Sequence, residues 1–205
     1  MSSSIYGALL VFVAAAAVIR AVGILLLTVR QSRYFARAVA KPKSAADLVT
    51  APEPPLLGLV AMWLLWTLDL RTSPSPSDWV LAVGAAVAAA SGWGLILWAA
   101  ASFPAVSPGH YILPEQKLVT TGAYAFVRNP LYAGALLVWF GLAAAYSSPV
   151  VLAITLLYVL PGYWVYMRSE ERMLLSYFGE PYARYCARVG MFWPRFRPRS
   201  GSVQR

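Results

Sequence analysis

The chain of 205 residues contains one cysteine, one histidine and only 8 acidic residues. Because Cys186 is the only cysteine, an intrachain disulfide and a cluster of thiolate metal ligands are both excluded. A zinc site or a Ser-His-Asp triad would depend on His110, and no carboxylate or nucleophile stands in a suitable relation to it. A histidine in such a proline-rich loop is more often a surface group than a general base. We therefore expect no metal site.

Charged residues are also scarce, at 12% of the chain, whereas 60% of the residues are hydrophobic and the mean hydropathy is +0.61. This composition is too apolar for a soluble domain of this length and indicates a single domain of membrane helices. The net charge of +9 does not indicate a nucleic-acid partner. The basic residues lie between apolar runs, as they do in loops that face anionic membrane lipids.

Five apolar runs predict five transmembrane helices, at residues 5–29, 56–70, 79–103, 131–146 and 149–167. The second and fourth runs are short for a bilayer that needs about 20 residues per helix. The start, MSSSIYG, lacks the basic region of a signal peptide, so the first run predicts an uncleaved helix. Because only Ser147 and Ser148 separate the last two runs, these predict an antiparallel hairpin. We expect an all-α polytopic membrane bundle, with residues 1–103 as a three-helix scaffold.

The basic residues predict the orientation of this bundle. Fifteen of the seventeen fall on one side of the predicted helices, which the positive-inside rule places in the cytoplasm. The N-terminus is then outside, and the C-terminal segment is cytoplasmic. Arg20 lies within the first run. It either snorkels to the interface or faces the bundle and holds an anionic lipid or substrate group.

The main polar, turn-rich run is LVTTGAYAFVRNPLYAG at residues 118–134, which opens directly into the fourth apolar run. Asn129 and Pro130 predict a helix start, as the cap and the first helical residue. The free N–H groups of that first turn, together with Arg128, could receive an anionic group. An ordinary interfacial loop before a transmembrane helix accounts for the same residues.

Two adjacent glutamates follow the fifth apolar run. If its helix continues to about Phe178, residues three and four apart share a face. Glu171 then has Arg168 at i−3, which predicts a surface ion pair. Glu170 has only aromatic and apolar neighbours on its own helix. A carboxylate there needs a partner from elsewhere, either Arg128 or a ligand's hydroxyl, ammonium or sulfonium group.

Gly179 predicts the end of this helix. A short amphipathic helix then begins at Glu180, and we expect it to lie in the cytoplasmic interface and to cover the site. The tail beyond it alternates aromatic residues with arginines, a pattern typical of a segment that contacts lipid headgroups.

RNPLYAG at residues 128–134, Glu170-Glu171 and FGEPYARY at residues 178–185 occur in one order. Together they resemble the signature of the isoprenylcysteine carboxyl methyltransferase family over roughly residues 91–196. The resemblance implies an integral membrane enzyme that uses S-adenosylmethionine, with its cofactor-binding site in the C-terminal half, residues 104–205. The distribution of basic residues places this site on the cytoplasmic side. The acceptor would be amphipathic and membrane-partitioned: an isoprenylcysteine-like carboxylate, a thiol, an amine or a lipid headgroup.

The same resemblance implies the site residues. Arg128 and Glu170 are the candidate catalytic residues, with Glu170 in contact with the cofactor and Arg128 as the charged anchor of the loop. The implied cofactor pocket is lined, besides Glu170, by Gln116, Lys117, Leu118, Val119, Tyr124, Asn129, Pro130, Leu131 and Tyr132. Asn129 stands where many members have histidine. Tyr166 stands where the family often has an arginine associated with the substrate carboxylate.

Two other functions remain open on the sequence. Membrane sterol-type reductases, which use NADPH, resemble this family in their C-terminal half and share an Arg-x-Pro-x-Tyr motif, here at residues 128–132. The chain is short for that class and shows no additional basic cluster for a 2′-phosphate near the motif. A non-catalytic membrane protein of the same fold is the third possibility.

Overall fold

The computed structural model of the protein describes residues 3–35, 38–40, 51–67, 74–103, 112–114 and 116–194. His110, Arg71 and the lysines at positions 41 and 43 lie outside these ranges. Within them, the chain forms helices and two isolated β-bridges. In chain order the helices are α1 Ser3–Phe35, α2 Glu53–Trp66, α3 Pro76–Ser102, α4 Ala123–Phe126, α5 Pro130–Ala145, α6 Pro149–Phe178 and α7 Glu180–Arg188.

Three of these helices are long and apolar enough to cross a membrane: α1 over Ser4–Leu27, α3 and α6. The helices α2 and α5 are apolar but have only 14 and 16 residues. The predicted all-α membrane architecture is therefore confirmed for the described ranges. The count of five spans stays a prediction, as does the hairpin of the last two.

Local sequence signals set several helix ends. A capping box starts α3, in which the Ser75 hydroxyl accepts from the Asp78 amide and the Asp78 carboxylate accepts from the Ser75 amide. Gly179, with a φ of 59°, ends α6 where the sequence predicts. Asn129 does occupy the N-cap position of α5, but its side chain makes no capping hydrogen bond. Its Nδ2 donates instead to the Met191 carbonyl at 3.5 Å.

The helices α3 and α5 approach closely because small residues line their contact. A Cβ added at Gly92 would lie 2.6 Å from the Gly134 carbonyl oxygen, and one added at Gly134 would lie 2.6 Å from that of Gly92. Further along, a Cβ at Gly141 would lie 3.0 Å from the Ala85 carbonyl oxygen. This close contact fixes the position of α5, which carries the residues of the turn-rich motif into the bundle.

The segment after α7 returns to the start of α5. The amide of Arg128 donates to the Gly190 carbonyl at 2.8 Å, and the amide of Asn129 donates to the Met191 carbonyl at 3.2 Å. These bonds form an isolated parallel bridge between Val127 and Gly190. The C-terminal segment is thus held against the loop that precedes α5.

Candidate functional site

The C-terminal half of α6 buries one face against the bundle. The buried residues recur at three- and four-residue spacing, as expected for one helix face. They include Tyr163, Tyr166, Met167, Glu170 and Met173. Glu170 is only 4% exposed, so its carboxylate lies within the protein rather than in lipid or water. The sequence prediction that Glu170 faces aromatic and apolar neighbours on its helix is confirmed.

Tyr132, in the first turn of α5, is a partner of this carboxylate. Its hydroxyl donates to Glu170 Oε2 at 3.1 Å. The Tyr132 ring lies 5.2 Å from the Tyr163 ring, edge to face, and 6.0 Å from the Tyr166 ring. A carboxylate beside several aromatic rings is suited to a cationic ligand, because the charge and the ring faces both attract it. Two predicted site residues from separate motifs are therefore brought into contact.

Tyr124, on α4, lies near the same carboxylate. Burial raises the pKa of the Tyr124 phenol, and the negative charge of Glu170 raises it further, so the phenol stays neutral. The Tyr124 ring packs 5.9 Å from the Phe103 ring at the end of α3. Its backbone carbonyl accepts a hydrogen bond from the Tyr185 hydroxyl of α7 at 2.7 Å. This bond holds α4, which carries Tyr124, against α7.

Arg128 is bound to Glu171 and not to Glu170. Its Nε and Nη2 lie 2.8 and 2.7 Å from Glu171 Oε1, with side-chain exposures of 9% for Arg128 and 13% for Glu171. Nη1 donates to the carbonyls of Cys186 and Val189. Burial alone would lower the pKa of Arg128, but the hydrogen bond and charge of Glu171 more than offset it, so the net shift is upward. Arg128 stays charged and fixes the loop.

The predicted surface ion pair between Glu171 and Arg168 is therefore wrong. Glu171 turns towards the loop before α5, where Arg128 supplies several donors. The Arg168 guanidinium lies instead 4.9 Å from the ring centroid of Trp164, one turn earlier on α6. The suggestion that Arg128 neutralises Glu170 is also wrong, for the same reason.

The remaining predicted pocket residues lie on the segment that leads into α4 and on the start of α5. Gln116 Oε1 accepts from the Leu113 amide at 3.1 Å, which closes a local turn. Lys117 is exposed, whereas Leu118 and Val119 are half-buried. At the start of α5, Pro130 is fully buried and Leu131 half-buried.

Gly122 allows this segment to turn into α4. Its φ is 61°, and a Cβ there would collide with the Ser102 side chain at the end of α3. The Ser102 hydroxyl accepts a hydrogen bond from the Ala123 amide at 3.0 Å. The turn that leads to Tyr124 therefore requires glycine at this position.

A buried ion pair lies deeper in the bundle, and sequence reasoning missed it. Arg20 of α1 donates from Nη1 to Glu53 Oε1 at 2.6 Å and from Nη2 to Oε2 at 3.3 Å. Trp139 donates to Glu53 Oε1 at 2.6 Å, and Arg20 Nη2 donates to the Tyr163 hydroxyl at 2.8 Å. The Arg20 side chain therefore does not snorkel to the interface. Its guanidinium is bound to the Glu53 carboxylate rather than to an anionic lipid or substrate group. The signal in the sequence was an arginine within the first apolar run and a glutamate just before the second.

Tyr163 connects this ion pair to the candidate site. Its hydroxyl accepts from Arg20, while its ring contacts Tyr132, which in turn donates to Glu170. Contacts therefore run without interruption from α1 and α2 to the carboxylate on α6. Displacement of Tyr163 would disturb both the ion pair and the Tyr132 ring.

Comparison with known proteins gives consistent matches. Residues 79–181 match the phospholipid methyltransferase family. The chain is 31% identical over 161 residues to the methanethiol S-methyltransferase of Pseudomonas deceptionensis, covering 70% of this chain and 58% of that protein. It is 29% identical over 176 residues to the protein-S-isoprenylcysteine O-methyltransferase of Mus musculus, covering 77% of this chain and 58% of that protein.

A third relative is the cobalt-zinc-cadmium resistance protein CzcN of Cupriavidus metallidurans. It is 41% identical over 81 residues, which cover 40% of this chain and 37% of that protein. The chain thus spans between about one third and three fifths of the length of these relatives. The family match covers half of the chain, including Tyr124, Arg128, Tyr132 and Glu170. The predicted resemblance to isoprenylcysteine carboxyl methyltransferases is confirmed by these matches. The chain belongs to the phospholipid methyltransferase family, a family of membrane methyltransferases.

Proposed function

We propose that this protein is an integral membrane enzyme that transfers a methyl group from S-adenosylmethionine to an amphipathic acceptor. The observation that carries the proposal is the buried carboxylate of Glu170, bonded to Tyr132 among the rings of Tyr163 and Tyr166. Membership of a methyltransferase family supports the same reaction class.

The chemistry of these side chains fits S-adenosylmethionine. The cofactor carries a sulfonium and an ammonium group, and both are cations that a carboxylate and aromatic rings attract. NADPH would instead need cations for its phosphates. Arg128, in the loop before α5, is already bound to Glu171. Arg20, which contacts Tyr163, is already bound to Glu53. The charge of the site therefore favours the methyl donor over the nucleotide of a sterol-type reductase.

When bound, the cofactor supplies an activated methyl group on its sulfonium, so the protein mainly has to orient the reactants and exclude water. Orientation of this kind can contribute roughly 7–11 kcal/mol to the lowering of a barrier. Glu170 and Tyr132 would orient the donor, with Tyr124 and Asn129 beside them. Arg128 would anchor the loop through Glu171. Gln116, Lys117, Leu118, Val119, Pro130 and Leu131 complete the proposed cofactor pocket.

An acceptor that is already an anion needs no general base. A thiolate or a carboxylate can attack the methyl carbon directly, and the names of two relatives specify sulfur and oxygen as their acceptor atoms. An amine or a lipid headgroup fits the same reaction type. We infer a membrane-partitioned acceptor because Glu170 lies on α6, which is long and apolar enough to cross a bilayer.

We further propose that α2 and α5 cross the membrane with α1, α3 and α6, giving five spans in one domain. Residues 1–103 would form the scaffold and residues 104–205 the cofactor-binding half. The distribution of the basic residues supports an outside N-terminus, with the C-terminus and the site in the cytoplasm. On this arrangement α7 lies in the cytoplasmic interface and covers the site through Tyr185 and Tyr124.

Ligand binding tests the proposal. The full chain, purified in detergent, is titrated calorimetrically with S-adenosylmethionine, S-adenosylhomocysteine and NADPH. Glu170→Gln removes the charge but keeps an oxygen that can accept from Tyr132. We expect its affinity for S-adenosylmethionine to fall about tenfold or more, as when a charged hydrogen-bond partner is lost. Glu180→Gln is the matched control, since Glu180 is highly exposed on α7.

Three results would decide against the proposal. Binding of NADPH without either S-adenosyl compound would assign the site to a reductase. Absence of binding by any of the three would indicate a non-catalytic protein. Equal affinity losses in Glu170→Gln and Glu180→Gln would show that the site lies elsewhere. Transfer of a radioactive methyl group to a panel of thiols, carboxylates, amines and phospholipids would then identify the acceptor.

A further inference from the structure

A cavity of about 530 Å³ lies beside a different face of α6 from the one that carries Glu170. Its lining comes from the loop before α5, from α6 and from the segment after α7. The lining residues are Arg128, Trp164, Arg168, Gly190, Met191, Phe192, Trp193 and Pro194. Along α6, Trp164 and Arg168 are one turn apart, whereas Glu170 points about 160° away from Arg168 around the helix axis. Arg128 borders both, but the cavity lies on a different face of α6 from the carboxylate of the candidate methyl-donor site.

The charge of this cavity is positive. None of the eight described residues that line it is acidic. The charge of Arg128 is compensated by Glu171, with Nη2 and Oε1 2.7 Å apart. Arg168 is exposed, and its guanidinium lies over the Trp164 ring, where the ring holds it in place but does not neutralise it. The part of the cavity wall that the structure describes therefore offers one oriented guanidinium to an anion and no carboxylate.

The other walls are aromatic and apolar. The rings of Trp164 and Phe192 are stacked, with centroids 6.5 Å apart and planes inclined by 18°. Trp193 is 80% exposed at the rim. Exposed tryptophans beside arginines are typical of the zone where a membrane protein meets lipid headgroups. A free inorganic anion would gain nothing from these apolar surfaces, whereas a lipid would use both them and Arg168.

We propose that this cavity binds the headgroup phosphate of an anionic membrane phospholipid. The phosphate would accept a bidentate pair of hydrogen bonds from Arg168, as guanidinium groups favour. The glycerol and first acyl carbons would lie against Trp164, Phe192 and Trp193. The bound lipid is not the methyl acceptor, since the cavity and Glu170 are on different faces of α6. It bridges α6 to the C-terminal segment 190–194.

Lipid binding to the purified full chain tests this assignment. Delipidated protein in detergent is titrated with phosphatidylglycerol or phosphatidylcholine, and the bound fraction is measured by native mass spectrometry. We expect phosphatidylglycerol to bind more tightly than phosphatidylcholine. Arg168→Gln should weaken phosphatidylglycerol binding about tenfold, as for the loss of a charged hydrogen-bond donor. Arg188→Gln, which removes an exposed arginine of α7 that does not line the cavity, should leave it unchanged.

Further arms separate this inference from the proposed reaction. Trp164→Leu should also weaken phosphatidylglycerol binding, because it removes the ring that orients Arg168. Arg168→Gln should keep the wild-type affinity for S-adenosylhomocysteine, which shows that the variant is folded and that the two sites are distinct. If the protein binds phosphatidylglycerol but no S-adenosyl compound, the lipid site stands and the proposed reaction fails.

Several outcomes would overturn the lipid site. If Arg168→Gln and Arg188→Gln weaken phosphatidylglycerol binding equally, the lipid binds through general surface charge and not in this cavity. Equal affinity for phosphatidylcholine would exclude recognition of an anion. Displacement of phosphatidylglycerol by inorganic phosphate at equal concentration would assign the site to the free ion. Methylation of the bound phosphatidylglycerol would make the cavity part of the acceptor site.

Discussion

Arg128 and Glu171 form a nearly buried ion pair that joins the loop before α5 to α6. The same guanidinium donates to the Cys186 and Val189 carbonyls near the end of α7. The Arg128 side chain thus joins three parts of the chain, which are the loop before α5, α6 and the end of α7. Because Glu171 holds Arg128, the neighbouring Glu170 is left to face Tyr132. The two adjacent glutamates therefore have different tasks, one in holding the loop and one in the candidate site.

Glu171→Gln should mainly lower stability, whereas Glu170→Gln should mainly weaken binding of the methyl donor. We expect Glu171→Gln to lower the free energy of unfolding by about 2 kcal/mol, because it leaves Arg128 without its charged partner. Glu170→Gln should change stability little and weaken binding of the methyl donor. Thermal unfolding and calorimetric titration of both variants in detergent measure the two effects. A similar loss of stability in both variants would contradict the division of tasks.

Removing the Arg128 side chain should be far more costly than removing an exposed arginine. Arg128→Ala is expected to destabilise the protein by about 2–3 kcal/mol, since it leaves Glu171 and two carbonyls without their donor. The control is Arg184→Ala, whose pair with Glu180 is exposed and 3.6 Å long. It should cost less than about 1 kcal/mol. Equal shifts of the unfolding midpoint would show that the Arg128 contacts do not stabilise the loop.

The buried pair of Arg20 and Glu53 should be strongly coupled. Glu53→Leu alone removes the carboxylate that accepts from the buried Arg20 guanidinium and from the Trp139 N–H, and we expect the free energy of unfolding to fall by about 3–5 kcal/mol. Arg20→Met together with Glu53→Leu should recover much of this loss, because neither charge then remains buried. Unfolding of the two single variants and the double variant gives the coupling energy. Strictly additive losses would indicate that the two side chains do not depend on each other.

The close contact between α3 and α5 should not tolerate an added methyl group. Gly134→Ala would bring its Cβ to 2.6 Å from the Gly92 carbonyl oxygen and 2.8 Å from Ile96 Cγ1. We expect a cost of about 1–3 kcal/mol from overpacking, together with weaker donor binding because α5 carries Tyr132. Gly84→Ala is the control, since nothing lies within 4 Å of a Cβ at that site on α3. Gly84→Ala should be neutral or slightly stabilising.

Stability should fall at alkaline pH in part because of Tyr185. Burial raises the pKa of the Tyr185 phenol above its usual value of about 10. A raised pKa in the folded state contributes stability that is complete below about pH 10 and is lost as the pH rises through the folded value. The Tyr185→Phe variant has no phenolic proton to lose. Its free energy of unfolding should therefore fall less steeply above pH 10, by up to about 1.4 kcal/mol per pH unit. The same slope of unfolding free energy against pH in the wild type and in Tyr185→Phe would contradict the prediction.

Much of this architecture follows from the sequence alone. The apolar runs predict which segments form the helices of the bundle. Pro130 predicts the start of α5 and Gly179 predicts the end of α6, as the structure has them. Three- and four-residue spacing places Glu170 on a face with Tyr166, Met167 and Met173. The combined motifs identified the methyltransferase family, which the family match confirms. These features depend on local backbone preferences and on helix periodicity, which neighbours in sequence are sufficient to set.

The choice of partners was decided only by the tertiary structure. From helix spacing, Glu171 was expected to pair with Arg168, and it pairs with Arg128 instead. Arg20 finds Glu53, 33 positions away, and Tyr132 finds Glu170, 38 positions away. A side chain's partner depends on how the helices are rotated and how closely they approach. For α5, which carries Tyr132, the contact of Gly134 with Gly92 sets its approach to α3. Periodicity fixes which residues share a face, but the packing of the whole chain decides what that face meets.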